Sequence, residues 1–189
     1  MIPHLHKISV LQYNVANGRE GTMNILFCDP RVAQMDILAI QEPWNSRLEP
    51  TTHHPCKDKF HLFWPPLGDI PIEERPERAI KTCLFVRKTI PSDSIQCVNH
   101  SPSLQTLTLA GLIPGRADNP RKLHIYNVYV PPRLSPADQR GTETLQLLDR
   151  VMEPLRNEDQ LVVGDFNTWH EDWFGRPISH LGPHKPLRE

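Results

Sequence analysis

Short apolar runs separated by polar, proline-containing segments dominate the chain and predict a series of short strands. The runs fall at residues 7–13, 36–41, 60–64, 80–87, 104–112, 123–130 and 161–163. The first two are apolar at nearly every position, which is typical of strands buried on both faces of a sheet. Gly164 closes the last run, so we expect that strand to end there.

Two segments carry helix signals instead. Residues 22–29 have Thr22 as a candidate cap and Pro30 just past the end. A second helix is predicted to start at Ser135, which is followed by Pro136 and an acidic first turn. Its apolar face consists of Leu145, Leu148, Val151 and Leu155.

The order of these elements predicts an α/β (α+β) layered sandwich of mixed sheets flanked by short helices. We place one domain at residues 7–176 and an irregular, proline-rich tail at 177–189. The last strand ends well before the C-terminus, and no core-like segment follows it. We therefore expect the sandwich to be incomplete at its C-terminal end.

Composition narrows the function classes. The chain has 189 residues, of which 21 are Lys or Arg and 22 are Asp or Glu. The formal net charge of -1 excludes a polycationic protein that binds nucleic acid through its overall charge. Proline occurs 20 times, which excludes long coiled coils and helical solenoids. No secretory leader pattern and no apolar run of about 20 residues is visible, so we expect an intracellular protein with no membrane partner.

Polar side chains lie at the ends of four of the predicted strands. Glu42 and Asp165 come directly after apolar runs, where a partly desolvated carboxylate needs a partner such as a divalent cation. The amides of Asn14 and Asn167 both donate and accept, and the phenol of Tyr129 can bond a phosphate oxygen. Together these groups suit metal-assisted attack of water on a phosphodiester.

Each of these residues also has an ordinary structural interpretation. Asp165 or Asn14 alone fits a turn, Glu42 alone fits a strand end, and Tyr129 alone fits a half-buried strand. The combination at four strand ends favours a site. Two basic groups fit either a DNA backbone or a solvated face; they are Arg75, Arg78, Lys81, Arg87 and Lys88, and Arg116, Arg121, Lys122 and Arg133.

Four motifs carry a resemblance to a known family. They are QYNV at 12–15, IQEPW at 40–44, YNVYVPP at 126–132 and GDFNTWHEDWFG at 164–175. In this order they resemble the endonuclease/exonuclease/phosphatase superfamily, which has the DNase I-like fold. QEPW, and GDFN followed by Trp and His, resemble in particular the apurinic/apyrimidinic-type endonuclease domain of non-LTR retrotransposons. The resemblance runs over nearly the whole chain.

The resemblance implies a role for each residue that matches a motif. Glu42 corresponds to the Mg²⁺ ligand, with Mn²⁺ as an alternative ion, and Asn14 to the amide that helps to hold the metal. Tyr129 corresponds to the phosphate-contacting tyrosine. Asp165 corresponds to the residue that orients or deprotonates the attacking water, and Asn167 to its neighbour on the nucleophile or scissile phosphate.

The C-terminal part departs from the family pattern. His170 matches a histidine common after GDFN, with packing of the loop favoured over catalysis. Family members continue into further strands and a terminal Ser-Asp-His-type motif, whereas Ser179 and His180 have no Asp between them. We therefore expect a truncated or decayed domain with weak or no activity, because lost electrostatic groups cost about 10²–10³ each in rate.

The resulting hypothesis is a Mg²⁺-dependent DNA endonuclease that nicks target DNA to prime reverse transcription. Its implied partners are the phosphate backbone of the target strand and the reverse transcriptase region of a parent polyprotein, and its action is nuclear. Two alternatives stay open. One is a phosphoesterase of the same superfamily that acts on a small molecule, and the other is a non-catalytic remnant.

Overall fold

The computed structural model describes residues 7–18, 20–44, 57–66, 79–116, 119–132, 135 and 138–167. These ranges contain eight strands and two α-helices. The strands are β1 (Val10–Asn14), β2 (Ile37–Gln41), β3 (Phe60–Phe63), β4 (Thr82–Arg87), β5 (Ile95–Ser101), β6 (Leu104–Arg116), β7 (Asn119–Tyr129) and β8 (Asp159–Asp165). The helices are α1 (Glu20–Cys28) and α2 (Arg140–Met152), and 3₁₀ turns occur at Val32–Gln34, Lys57–Lys59, Ser92–Ser94 and Glu153–Leu155.

The strands form two four-stranded mixed sheets. The first sheet has the order β1-β2-β4-β3 and the second has the order β5-β6-β7-β8. In each sheet one pair is parallel, β1 with β2 and β7 with β8, and the other pairs are antiparallel. The predicted sandwich of mixed sheets is therefore confirmed.

Three apolar clusters hold the layers together. Between the sheets, Ile37 and Leu84 of the first pack with Leu107 and Ile125 of the second. On the outer face of the first sheet, α1 contributes Met23 and Phe27 to a cluster with Leu38, Ile40 and Phe85. On the outer face of the second sheet, α2 contributes Leu145, Leu148 and Val151 to a cluster with Tyr126 and Val128. The order of layers is therefore helix, sheet, sheet, helix.

The predicted helix starts were wrong, although both helices exist. Helix α1 begins at Glu20, so Thr22 lies inside its first turn rather than at the cap. Helix α2 begins at Arg140, and the Asp138 carboxylate accepts the N–H of Arg140 at 3.2 Å. Ser135 therefore lies outside the helix. The helices have 9 and 13 residues, and in the described ranges none is long and apolar enough to cross a membrane.

Strand boundaries also differ from the predicted ones. β1 was expected to be buried on both faces, but it is an edge strand of its sheet as described, and Tyr13 is 42% exposed. β5 was missed because its sequence, IQCVNHS, mixes polar and apolar residues. β6 extends through Pro114 and β7 extends through Pro120. Strands can contain proline here because the register shifts interrupt the regular pairing, so that not every residue has to donate a backbone hydrogen bond. β8 runs through Gly164 to Asp165.

Gly164 allows β7 and β8 to approach closely. The residue pairs with Val128, and its φ is +157°. A Cβ atom at this position would lie 2.0 Å from the Val128 carbonyl oxygen, well inside van der Waals contact. The same register sets Asp165 opposite Tyr129. Glycine at this position therefore fixes how two of the predicted site residues meet.

Replacing Gly164 with alanine should lower the free energy of unfolding by about 3 kcal/mol, since backbone must move to relieve the clash. Chemical denaturation of Gly164→Ala measures the change. Gly21→Ala is the matched control, because a Cβ there meets nothing within 4 Å and alanine favours a helix. Equal stability of Gly164→Ala and the wild type would contradict the close approach of these strands.

Candidate functional site

The carboxyl ends of the two parallel strand pairs meet at one edge of the sandwich. Asn14 ends β1 and Glu42 follows β2, while Tyr129 ends β7 and Asp165 ends β8. The side-chain amide of Asn14 donates to Oδ2 of Asp165, which joins the first sheet to the second. The hydroxyl of Tyr129 bonds the Glu42 carboxylate and makes a second such link. Each sheet thus supplies half of one polar cluster.

A chain of three amides, two of them buried, lies next to this cluster. Gln12 Nε2 donates to Gln41 Oε1 at 2.5 Å, and Gln41 Nε2 donates to Asn127 Oδ1 at 2.6 Å. Asn127 Nδ2 in turn donates to the carbonyls of Cys83, at 2.9 Å, and Ile40, at 3.3 Å. Gln41 and Asn127 are fully buried. Because Asn127 belongs to the second sheet and its partners to the first, these bonds fix the two sheets relative to each other.

Glu42 is held by three neighbours. Its Oε1 accepts hydrogen bonds from Asn17 Nδ2 at 2.5 Å and Lys81 Nζ at 3.3 Å. Burial raises the pKa of Glu42, but the bonds from Tyr129 and Asn17 and the charge of Lys81 outweigh burial, and the pKa falls below its usual value. The carboxylate is therefore ionised at neutral pH and is only 14% exposed.

Tyr129 keeps its proton. Its side chain is buried, and that burial, the hydrogen bond to Glu42 and the charges of Glu42 and Asp165 raise its pKa far above the usual range, against a smaller opposing effect of Asn167. The phenol is thus a neutral hydrogen-bond donor at the centre of the cluster. A neutral donor beside two carboxylates suits contact with an anionic oxygen.

Asp165 is oriented from two sides. Its Oδ1 accepts the backbone N–H of Asn167 at 3.0 Å, and its Oδ2 accepts the amide of Asn14. The side chain of Asn167 donates to the Val130 carbonyl at 3.0 Å, which ties the loop after β8 to the end of β7. With one hydrogen bond shown to each oxygen, the carboxylate keeps lone pairs for a further ligand.

Unusual backbone conformations concentrate in this region. Within the described ranges, the non-glycine residues with positive φ are Ala16 (55°), Asn17 (52°), Glu42 (46°) and Asn167 (45°). All four lie in the loops that follow β1, β2 and β8. Such conformations cost about 1–3 kcal/mol and cluster at functional sites. Their concentration is an observation, independent of side-chain type, that singles out this edge.

The structure brings together five of the six predicted site residues: Asn14, Glu42, Tyr129, Asp165 and Asn167. The sixth, His170, and the predicted tail at 177–189 lie outside the described residues. Sequence reasoning missed two further members, Asn17 and Lys81. The Asn-Gly pair at 17–18 was a turn signal that could have marked Asn17.

The basic residues have individual roles that their grouping did not predict. Lys81 lies in the cluster beside Glu42. Arg87 donates to the main-chain carbonyls of Ala33 at 2.6 Å and Met35 at 2.9 Å, which is a structural role. Arg121 pairs with Asp159 at 2.8 Å. The structure does not describe residues 75, 78 and 133 or the side chain of residue 116.

The donor set fits a hard divalent cation. Magnesium is held through oxygen by one or two carboxylates, with waters and substrate phosphate oxygens completing its shell. Glu42 and Asp165 supply the carboxylates, and Asn14 supplies an amide oxygen. In the described part of the chain, no group of three or more His, Cys, Asp or Glu gathers, as a protein-only metal cage would need. The residues present therefore fit Mg²⁺ or Mn²⁺ with an incomplete protein shell.

This sandwich brings polar strand ends from both of its sheets together at one edge. Residues 11–186 match the Endonuclease/Exonuclease/phosphatase family, and the chain is a member of that family. Members of this family are generally dependent on divalent metals. No curated protein matches the sequence.

Two of the solved structures that are similar to this chain are catalytic domains. The catalytic domain of Xenopus laevis APE2 has 18% identity and a TM-score of 0.59; the match covers 94% of this chain and 62% of that one. The human Nocturnin catalytic domain with bound sulfate has 17% identity and a TM-score of 0.47, with coverages of 92% and 70%. The APE2 similarity shows the DNase I-like fold that the motifs predict.

Asn127→Ala should lower the free energy of unfolding by about 2–3 kcal/mol, because it removes the partner of the buried Gln41 amide and the donor to two buried carbonyls. Equilibrium denaturation measures this loss. Gln96→Ala, an exposed amide on β5, is the control and should change stability by less than about 0.5 kcal/mol. Equal small effects of both substitutions would show that the amide chain does not hold the sheets.

Proposed function

We propose that this protein is a Mg²⁺-dependent phosphodiesterase that nicks DNA, the endonuclease of a non-LTR retrotransposon. One observation supports phosphodiester hydrolysis most directly. Glu42 and Asp165, one from each sheet, lie around the neutral hydroxyl of Tyr129. Membership of the family supports phosphodiester chemistry. The motifs QEPW and GDFN, with Trp and His after the latter, support the retrotransposon assignment.

DNA is the proposed substrate. The fold neighbour from Xenopus laevis is an APE2 catalytic domain, and the motifs resemble apurinic/apyrimidinic-type endonucleases. A nick in the target strand leaves an end from which a reverse transcriptase can prime. On this proposal, the reverse transcriptase region of the parent polyprotein is the second partner, and the site of action is the nucleus.

The residues divide the hydrolysis among themselves. Glu42, with Asn14, would hold the Mg²⁺. The bound ion would supply positive charge that stabilises the negative charge on the phosphate oxygens. Asp165, fixed by Asn14 and the N–H of Asn167, orients a water and takes its proton as the water oxygen bonds to phosphorus.

The opposite P–O bond breaks in the same displacement, and the leaving oxygen takes a proton from solvent while Asp165 releases its own, which gives a hydroxyl and a phosphomonoester. When substrate binds, the Tyr129 hydroxyl would turn its single proton from the Glu42 carboxylate to a phosphate oxygen, on which negative charge increases as the new bond forms. Tyr129 can do this without a change of protonation, because its pKa is raised far above the neutral range.

Glu42→Ala and Asp165→Ala should each lower Mg²⁺-dependent nicking of supercoiled plasmid by about 10²–10³, the usual cost of one preorganised electrostatic group. Gel quantification of the nicked form, with Mg²⁺ or with EDTA, measures the rate. Asp149→Ala is the matched control, since this carboxylate is exposed on α2. It should leave nicking unchanged.

The same preparation separates the alternatives. Hydrolysis of a small aryl phosphodiester without plasmid nicking would contradict the DNA assignment and support a small-molecule phosphoesterase. Absence of both activities in folded wild-type protein would contradict the enzymatic proposal and support a non-catalytic remnant. Nicking that survives EDTA and both alanine substitutions would contradict the site itself.

A further inference from the structure

Lys81 occupies a position in the site that the proposed hydrolysis leaves unexplained. Its ammonium nitrogen lies 3.3 Å from Glu42 Oε1 and 3.4 Å from Asn17 Oδ1. The same nitrogen lies 5.3 Å from the centroid of the Tyr129 ring. The ammonium therefore contacts three members of the cluster at once. Lys88, at the other end of β4, is exposed instead.

The backbone holds Lys81 in this place. Its carbonyl accepts the N–H of Glu42 at 2.9 Å, and its own N–H donates to the carbonyl of Pro102 at 2.9 Å. The side chain is 26% exposed and that of Glu42 is 14% exposed. An exposed lysine pair contributes little, but a partly buried one with several contacts is screened less by solvent. The ion pair is thus a fixed part of the site.

The position of the Lys81 ammonium beside Glu42 affects the binding of a cation to that carboxylate. Oε1 already accepts two bonds, from Asn17 and Lys81, so a positive charge lies beside the carboxylate proposed to hold the metal. Like charges repel, and a fixed ammonium at this distance opposes a divalent cation on the same carboxylate. In the metal-free protein the same ammonium balances the charge of the Glu42 carboxylate.

We infer that Lys81 is a positioning residue that serves as the built-in counter-ion of Glu42 and competes with the divalent cation for that carboxylate. The inference rests on the proposed metal-dependent function, because it concerns the ligand of that metal. The site thus carries its own cation, which orients Glu42 before metal binds and sets the metal concentration that the enzyme needs.

The test measures Mn²⁺ binding calorimetrically in EDTA-stripped, desalted protein without DNA. Lys81→Met removes the charge and keeps most of the stem, so its Kd for Mn²⁺ should fall by about tenfold. Lys81→Arg keeps the charge and should bind as the wild type does. Lys88→Met is the matched control for loss of an exposed lysine and should also leave the Kd unchanged.

A role limited to folding would lower stability in Lys81→Met and leave the Kd for Mn²⁺ unchanged. That result, or weaker Mn²⁺ binding by Lys81→Met, would overturn the inference. If Lys81→Met does not fold, Lys81→Gln takes its place with the same expected shift. Absence of Mn²⁺ binding by the wild type would overturn both the inference and the proposed metal site.

Plasmid nicking distinguishes the failure of one proposal from that of the other. Mg²⁺-dependent nicking by the wild type without a Kd shift in Lys81→Met would leave the endonuclease proposal standing and reject the role of Lys81. A Kd shift without any nicking would support the counter-ion and reject the endonuclease. Where nicking occurs, Lys81→Met should reach half its maximal rate at a lower Mg²⁺ concentration than the wild type.

Discussion

The buried amide chain from Gln41 to Asn127 is the constraint on which the rest of the structure depends. The hydrophobic interaction between the sheets has no preferred direction, so on its own it would allow one sheet to slide slightly over the other. A fully buried amide that donates at 2.6 Å to another does not, because each displaced polar group would remain unsatisfied. The sheets therefore meet in one register, and their strand ends meet with them.

The polar cluster next to the amide chain follows from that register. Asn14 can reach Asp165, and Tyr129 can reach Glu42, only when β1 and β2 end beside β7 and β8. Backbone strain in the loops is the local cost, at Glu42 and Asn167 among others. The arrangement places two carboxylates around one neutral phenol, with Lys81 as the cation among them.

Sequence reasoning reached the layered fold, and it named five residues that the structure brings together, because both depend on local signals. Apolar runs mark strands, and a polar residue at the end of such a run marks a strand end, as at Glu42 and Asp165. Lys81 was out of reach, because its role depends on an antiparallel neighbour 39 positions away in sequence. The caps at Thr22 and Ser135 failed because several polar residues competed for each helix start, and tertiary packing decided among them.

The most direct measurement is a crystal structure of the protein grown with Mn²⁺, with anomalous scattering used to locate the ion. If the two sheets build one metal site, the anomalous peak lies on the Glu42 carboxylate, beside Asn14 and Asp165. The Lys81 ammonium should then have moved away from Oε1. A peak at another place in the molecule, in crystals of protein that nicks DNA with Mn²⁺, would contradict the assignment of this edge as the site.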